Sequence, residues 1–410
     1  MAKYYNPFKP NYPIYDGLFT GRFGEIKRIN SALKQLAEDN PVNLLFTGER
    51  GIGKTSLLLV SKHLASGSVN LKDEKKHKFV TVNLSINQNT TLVDFVLRFK
   101  KALDRELHKL DRAKKILESV WGFVERLEVA GVKINKTETG SLEEITDDFT
   151  YSLIESINKI KSSESIDKEG IVLIIDEADT GSKDLGLGSF LKSLTETLTS
   201  EGCHSFMVIM CGLPHTSDVL RKSHESSPRL FEEHELGPLK PKESLSILES
   251  GLKEIKEKNG VDINIEEEAS KLFCGYCEGY PHFIQQIAHS IIENLEDETI
   301  TEELVSKSMH GKGGALDLIG KRYYIDLFYE KIQVDSYRQI LSIMAENWDN
   351  WVTKTDIREK FTGSGTDLNN GIKALRDRNI ILTKRGVKGV YRLQWLSFAF
   401  WIKIHKQFMD

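Results

Sequence analysis

Long apolar runs are missing from this chain. No stretch approaches the ~18 consecutive apolar residues that a membrane-crossing helix needs. The longest candidates, around Ile171–Ile175 and Phe206–Leu213, have the length of buried strands. The first ten residues, MAKYYNPFKP, contain no apolar signal-peptide core. Cysteine is scarce, with four in 410 residues, which does not suggest a disulfide framework. These absences point to a cytoplasmic protein with no membrane partner. Cys274 and Cys277 form a lone CxxC, whereas structural zinc takes four ligands. Cys203 and Cys211 flank or lie in an apparent core strand, so packing is the better reading of all four.

An excess of one charge is also lacking: 56 Lys+Arg stand against 60 Asp+Glu, a formal net charge of −4. Overall charge therefore gives no argument for nucleic acid, but its distribution does. From Lys331 to Asp410 the chain has 14 basic and 8 acidic residues, a net of +6, and the other 330 residues carry −10. The C-terminal segment is thus the part suited to a polyanion. The length predicts two or three domains, and 40% hydrophobic with 28% charged residues is ordinary for a globular protein.

Periodicity orders the chain. Phe23, Ile26, Ile29, Leu33 and Leu36 have helical spacing, and Val42–Phe46 reads as a buried strand ending at Gly48. Ser56–Leu64 reads as a helix, Phe79–Leu84 as a strand, and Leu92–Leu107 as a helix. Residues 108–150 are highly charged and read as an insertion of helices and loops, with a turn or hairpin near Gly131. Helical spacing returns at Leu153, Ile157 and Ile160. Ile171–Ile175 and Phe206–Met210 are two more strands, separated by a helix from Phe190 to Leu198. Strands alternating with helices predict a parallel α/β sheet. After about residue 240 the strand signals stop and residues 242–258, 266–275 and 281–295 read as helices.

Gly48-Glu49-Arg50-Gly51-Ile52-Gly53-Lys54-Thr55, followed by Ser56, fits G-x-x-x-x-G-K-[ST] at every fixed position. Glycines let backbone N–H groups close on phosphate oxygens, and the helix that follows adds its positive end. Lys54 would bridge the β- and γ-phosphates and Thr55 would ligate Mg²⁺. A strand precedes the loop and a helix follows it, as a phosphate site requires. Asp176 and Glu177 follow the apolar strand directly, at the end where α/β sheets bind ligands. Asp176 would help hold Mg²⁺, and Glu177 would act as general base toward water. The bland alternatives are a glycine turn opening an ordinary helix and acids capping the next one. Together the two motifs predict ATP with Mg²⁺ and its hydrolysis.

With these motifs the chain resembles AAA+/STAND-type P-loop ATPases, in particular the archaeal-type ATPases related to origin-recognition proteins. Asn6-Pro-Phe and Leu18-Phe-Thr-Gly-Arg22-Phe-Gly-Glu25 resemble that family's lead segment, which lies beside the adenine. Cys211-Gly-Leu-Pro214 resembles the sensor 1 region. Cys211 and Gly212 stand where Asn, Ser or Thr is usual, and Thr216 and Ser217 are weak substitutes. Pro228-Arg-Leu-Phe231 resembles the arginine-bearing segment, which makes Arg229 the candidate arginine finger and Arg221 the second. Gly279-Tyr-Pro281-His282 resembles the lid element, with histidine where many relatives carry the sensor 2 arginine. The resemblance implies a P-loop core over 1–240, a helical lid over 241–314 and a winged-helix domain over 315–410. It also implies a homo-oligomer or partner protein, while the departures at Cys211 and His282 point to slow turnover or a switch rather than a motor.

The last eighty residues support that third domain. Tyr337, Ile340, Leu341 and Met344 have helical spacing, Thr353 precedes a helix at Lys354–Phe361, and Thr366 is placed to cap a third helix. Ile380–Leu393 reads as a hairpin with a basic tip, and Trp395, Phe398, Phe400 and Trp401 would pack a closing helix onto it. If this winged helix meets DNA, the third helix presents Asn369, Asn370, Lys373 and Arg376 to the major groove. Lys384, Arg385 and Lys388 would meet phosphates. The expected function is a DNA-associated ATPase regulator. The alternative is a signalling or defence switch in which nucleotide state controls a protein partner without DNA.

Overall fold

Strands that are apolar without alternation must be covered on both faces, and residues 44–46, 171–175 and 206–211 supply three such runs. The structure, a computed structural model, describes residues 3–14, 19–72, 74–108, 120–124, 127, 142–310, 313–347, 351–378, 380–384 and 386–406. The expected hairpin near Gly131 lies outside them. The chain forms two compact units, Pro13–Gly237 and Pro238–Asp410 with Met1–Tyr12.

In the first unit the elements run α1 (Phe23–Ala37), β1 (Asn43–Gly48), α2 (Lys54–Ser66), β2 (Phe79–Ser85), α3 (Leu92–His108) and α4 (Leu142–Ser162). They continue with β3 (Gly170–Asp176), α5 (Leu187–Ser200), β4 (Phe206–Gly212), α6 (Thr216–Ser223) and β5 (Phe231–Leu236). The strands form one parallel sheet in the order β2-β3-β4-β1-β5. Leu44, Leu45 and Phe46 of β1, and nearly all of β3 and β4, are buried. Register sets Thr47 opposite Gly212, Gly48 opposite Leu236 and Ser85 opposite Asp176. The ends of β1, β3, β4 and β5 therefore open along one carboxyl edge, where such sheets bind ligands.

Two elements depart from the sequence reading. The strand β5, Phe-Glu-Glu-His-Glu-Leu, has no apolar run. It forms because β1 offers it a free edge, and its glutamates suit an edge strand open to water. Helix α4 begins at Leu142, inside the stretch read as a charged insertion. Its acids Glu143, Glu144, Asp147 and Asp148 face outward while Ile145 and Phe149 are buried on the other side. Phe149 joins Phe95, Phe99, Trp121 and Phe190. Its ring lies 4.9 Å from that of Phe99 and 5.3 Å from that of Phe190 between centroids. The Trp121 indole N–H donates to Ser156 Oγ at 3.0 Å. Phe149→Ala is expected to destabilise the protein by about 3–5 kcal/mol. Urea unfolding would measure this, and a loss under about 1 kcal/mol would refute the packing account.

In the second unit α7 (Pro241–Asn259), β6 (Asn264–Ile265), α8 (Glu267–Cys277), α9 (Pro281–Glu293), β7 (Thr299–Ile300) and α10 (Glu302–His310) follow one another, with β6 and β7 paired in parallel. The N-terminal segment packs here rather than with the sheet. Asn6 Nδ2 donates to the His289 carbonyl at 3.0 Å, and Phe8 lies so close to Gly251 that a Cβ there would stand 2.2 Å from its ring. Next come α11 (Ala315–Ile319), π-helical turns at Gly320–Tyr324 and Asp326–Lys331, and α12 (Asp335–Glu346). The chain then runs β8 (Val352–Thr353), α13 (Lys354–Lys360), α14 (Gly365–Asp377), β9 (Ile381–Thr383), β10 (Val390–Leu393) and α15 (Leu396–Lys406). The antiparallel order β8-β10-β9 beside three helices makes a winged helix.

Thr353 caps α13 through a reciprocal bond with Asp356. Ser364, not Thr366, caps α14, because Asp367 stands three residues on and completes the same box. Phe398 and Trp401 are buried against Tyr324 and Phe328. Cys277 is buried and the Cys274 thiol donates to the Pro241 carbonyl at 3.4 Å. Among the described residues no group of three His, Cys, Asp or Glu is placed to hold a metal, and no helix is long and apolar enough to cross a membrane.

Candidate nucleotide-binding site

The loop leaving β1 is shaped by its glycines. Gly51 and Gly53 have φ of 78° and 96°, a region that costs other residues roughly 1–2 kcal/mol. A Cβ on Gly48 would lie 2.9 Å from the Leu236 carbonyl oxygen, so β1 and β5 close only around glycine. Ile52 is buried and anchors the loop, whereas Arg50 is exposed. Helix α2 starts at Lys54 with its N-terminus toward the loop, as anion binding needs. Ser56 Oγ accepts from the Ile14 N–H at 3.0 Å, which pins the lead segment against this helix.

The Lys54 ammonium donates to the carbonyls of Gly48 and Glu49 at 2.8 and 2.9 Å and so stays over the loop. Burial lowers its pKa from the ordinary lysine value, while the carboxylates of Asp179 and Asp176 oppose that shift. The Thr55 hydroxyl donates to Asp176 Oδ2 at 2.7 Å. The chain thus joins, across 121 positions, the two oxygen groups a hard divalent cation would take. Glu177 follows in a left-handed conformation, φ 57°, with its N–H donated to Asp176 Oδ1 at 2.9 Å. Its carboxylate is exposed and accepts from Ser85 Oγ at 3.4 Å.

Beside these groups, Cys211 is fully buried, and burial raises its thiol pKa well above the ordinary value, so it stays neutral. Thr216 Oγ1 donates to the Leu213 carbonyl at 2.5 Å and Ser217 Oγ to Glu233 at 2.7 Å, so both are engaged locally. Sequence reasoning missed Asp179, whose Oδ1 accepts from the Leu213 N–H at 2.9 Å and braces the end of β4. A third acid after Asp176 and Glu177 was its visible signal. The structural role of Arg22 was missed too: it is buried and donates to the Ile52 and Gly237 carbonyls.

The two arginine-finger candidates are separated by geometry. Arg221 pairs with Asp218 at 2.7 Å. Arg229 is exposed and, among the described residues, its guanidinium has no hydrogen bond or ion pair. It precedes the amino end of β5, whereas the P-loop meets the carboxyl end at Leu236. Six residues of strand, about 20 Å, separate the two, so Arg229 does not serve its own chain's loop.

In the second unit Pro281 opens α9 and His282 follows it. The His282 ring lies 4.8 Å from that of Tyr323, and its Nε2 is 3.4 Å from Arg322 Nη1. Burial, then the Arg322 charge, lowers its pKa to about 4, so the ring is neutral at pH 7. On α14 the side chains of Asn369, Asn370, Lys373 and Arg376 are all exposed, as are Lys384 and Lys388 on the wing; Arg385 lies outside the described residues. Arg376 pairs with Asp377 at 3.1 Å. Trp351, not singled out in the sequence, lies beneath Lys384 and Arg392 at 6.0 and 5.1 Å from ring centre to charge.

Residues 18–209 match the AAA ATPase domain. An uncharacterized HTH-type transcriptional regulator of Methanocaldococcus jannaschii is 25% identical over 320 residues, 75% of this chain and 73% of that protein. The Aeropyrum pernix ORC2 protein in its ADPNP-ADP complexes is similar in fold, with a TM-score of 0.60 at 14% identity over 98% of this chain and 96% of that one. Its ADP form gives 0.51 over the same shares. Residues 18–209 thus resemble an AAA ATPase domain, and the chain has the fold of the Aeropyrum pernix ORC2 protein.

Proposed function

We propose that this chain is a slow, Mg²⁺-dependent ATPase that acts as a regulator on DNA through its winged helix. The observation that supports this most is the 2.7 Å contact between Thr55 and Asp176. Those two oxygens fit Mg²⁺, which when bound would neutralise charge on the phosphate oxygens. Backbone N–H groups from Gly48 to Thr55 would receive the phosphates, and Lys54 would bridge β and γ. Glu177 would take the proton of a water attacking the γ-phosphorus, with ADP as the leaving group. A neutral Cys211, with histidine rather than arginine at position 282, favours slow turnover. Arg229, free and far from its own loop, would act on a neighbouring subunit. The division of labour is a core to about residue 240, a lid over 241–314 and the winged helix over 315–410, in a cytoplasmic protein.

DNA contact rests on Asn369, Asn370, Lys373 and Lys388, which stand exposed with no side-chain partner among the described residues. The HTH class named for the Methanocaldococcus relative agrees with it. Lys373→Ala/Lys388→Ala should weaken DNA binding about tenfold regardless of sequence and reduce the slope of log K against log salt by about 2. Fluorescence anisotropy over a salt series measures both. If the wild-type chain shows no DNA affinity at low salt, with or without ATP, the DNA role fails. The neutral Cys211 and His282 would then favour the protein-partner switch.

A further inference from the structure

Arg22 is a basic residue placed where water does not reach it, 8% exposed and in a left-handed backbone conformation with φ 55°. Such a conformation is costly outside glycine and persists only when its surroundings fix it. Three groups of the first unit face its guanidinium. One nitrogen, Nη2, donates to the Ile52 carbonyl at 3.1 Å and to the Gly237 carbonyl at 2.6 Å. Nη1 faces Glu25 Oε1 at 3.4 Å.

Both carbonyls are informative. The Ile52 carbonyl and the Gly53 N–H belong to one planar trans peptide and point in opposite directions. Holding the oxygen toward Arg22 therefore aims the Gly53 N–H away from it, to the side where the loop would take a phosphate. Gly237–Pro238 is the peptide at which the chain passes from the first unit to the second. Proline has no N–H, so this peptide offers only its carbonyl, and Arg22 takes it. On either side the chain is gripped again. The Leu236 carbonyl packs on Gly48, and the Leu239 N–H donates to the Gly279 carbonyl at 2.8 Å. Gly279, with φ 74°, approaches Leu239 so closely that a Cβ would stand 2.2 Å from its oxygen. The next helix, α9, begins two residues later.

We propose that Arg22 is a positioning residue that aims the Gly53 N–H and couples phosphate occupancy of the loop to the Gly237–Pro238 joint. The inference rests on the nucleotide reading of the loop. A phosphate that turns the Ile52–Gly53 peptide alters one of the two bonds made by a single nitrogen. The other bond holds the joint, so the strain passes to Leu239 and Gly279.

The test uses the full chain and its Arg22→Lys and Arg22→Gln variants, with thermal midpoints confirming that each is folded. Fluorescent ADP is titrated first, and hydrogen exchange at the Leu239 amide is then followed with and without saturating Mg-ADP. In the wild type ADP should change that exchange rate about tenfold. Arg22→Lys, too short to reach both carbonyls, should bind ADP about tenfold more weakly and, once saturated, change the Leu239 rate less than about twofold. If Arg22→Gln does not fold, Arg22→Lys alone decides the matter. A saturated Arg22→Lys protein with a wild-type change at Leu239 overturns the proposal. A wild-type chain that binds no ADP overturns the nucleotide reading and this proposal with it, and the titration detects that separately.

Discussion

Lys54→Ala should leave a folded protein that no longer holds nucleotide at micromolar concentration. The ammonium lies over the loop on the carbonyls of Gly48 and Glu49. Its stem is half-buried, which holds the ammonium in place over the loop. Hydrogen bonds to charged groups contribute about 1.5–3 kcal/mol each. Losing two toward the β- and γ-phosphates predicts a rise in Kd of about 10²–10⁴. Fluorescent-nucleotide titration measures the affinity, and the far-ultraviolet dichroism spectrum should be unchanged. Wild-type affinity in this variant would refute the assignment of the loop.

Glu177→Gln should separate binding from turnover. The substitution keeps shape and removes only the proton acceptor. It leaves Lys54, Thr55 and Asp176 in place, and it spares the N–H of residue 177 that bonds Asp176. A positioned general base contributes about 10²–10⁴ in rate, so kcat should fall by at least about 10² while nucleotide affinity stays within about twofold. Phosphate release under single-turnover conditions reads the first quantity and titration the second. Unchanged turnover would move the base to another group, and Asp179, near Lys54 and bonded to Leu213, would be next to test.

Much of this site is legible in one dimension because its geometry is local. Gly48–Thr55 carries its own shape in its glycines, and Asp176 is marked by the apolar strand that ends at it. The residues that escaped notice act across the chain. Arg22 lies thirty positions from Ile52 and over two hundred from Gly237, and nothing in its own neighbourhood announces that its guanidinium is buried. The strand β5 has no apolar run because only one of its edges is paired, so composition hides it. The first turns of α4 were obscured by their acids, although Ile145 and Phe149 already stood four apart. At α14 the choice between Ser364 and Thr366 turned on Asp367, which completes a capping box with the first and not with the second. The winged helix was readable because its helices and hairpin are sequential neighbours, whereas the packing of Gly320 under Trp401 joins residues eighty-one positions apart.

The strand order has a consequence for the birth of the protein. The strand that carries the P-loop is made early, yet both of its sheet neighbours, β4 and β5, come from residues 206–236. At 5–20 residues per second, roughly 10–40 s separate translation of Gly48 from that of Leu236. Until β4 is made, β1 is an apolar segment with no edge to join. A nascent fragment stopping before residue 206 therefore exposes an apolar strand that has neither of its sheet neighbours.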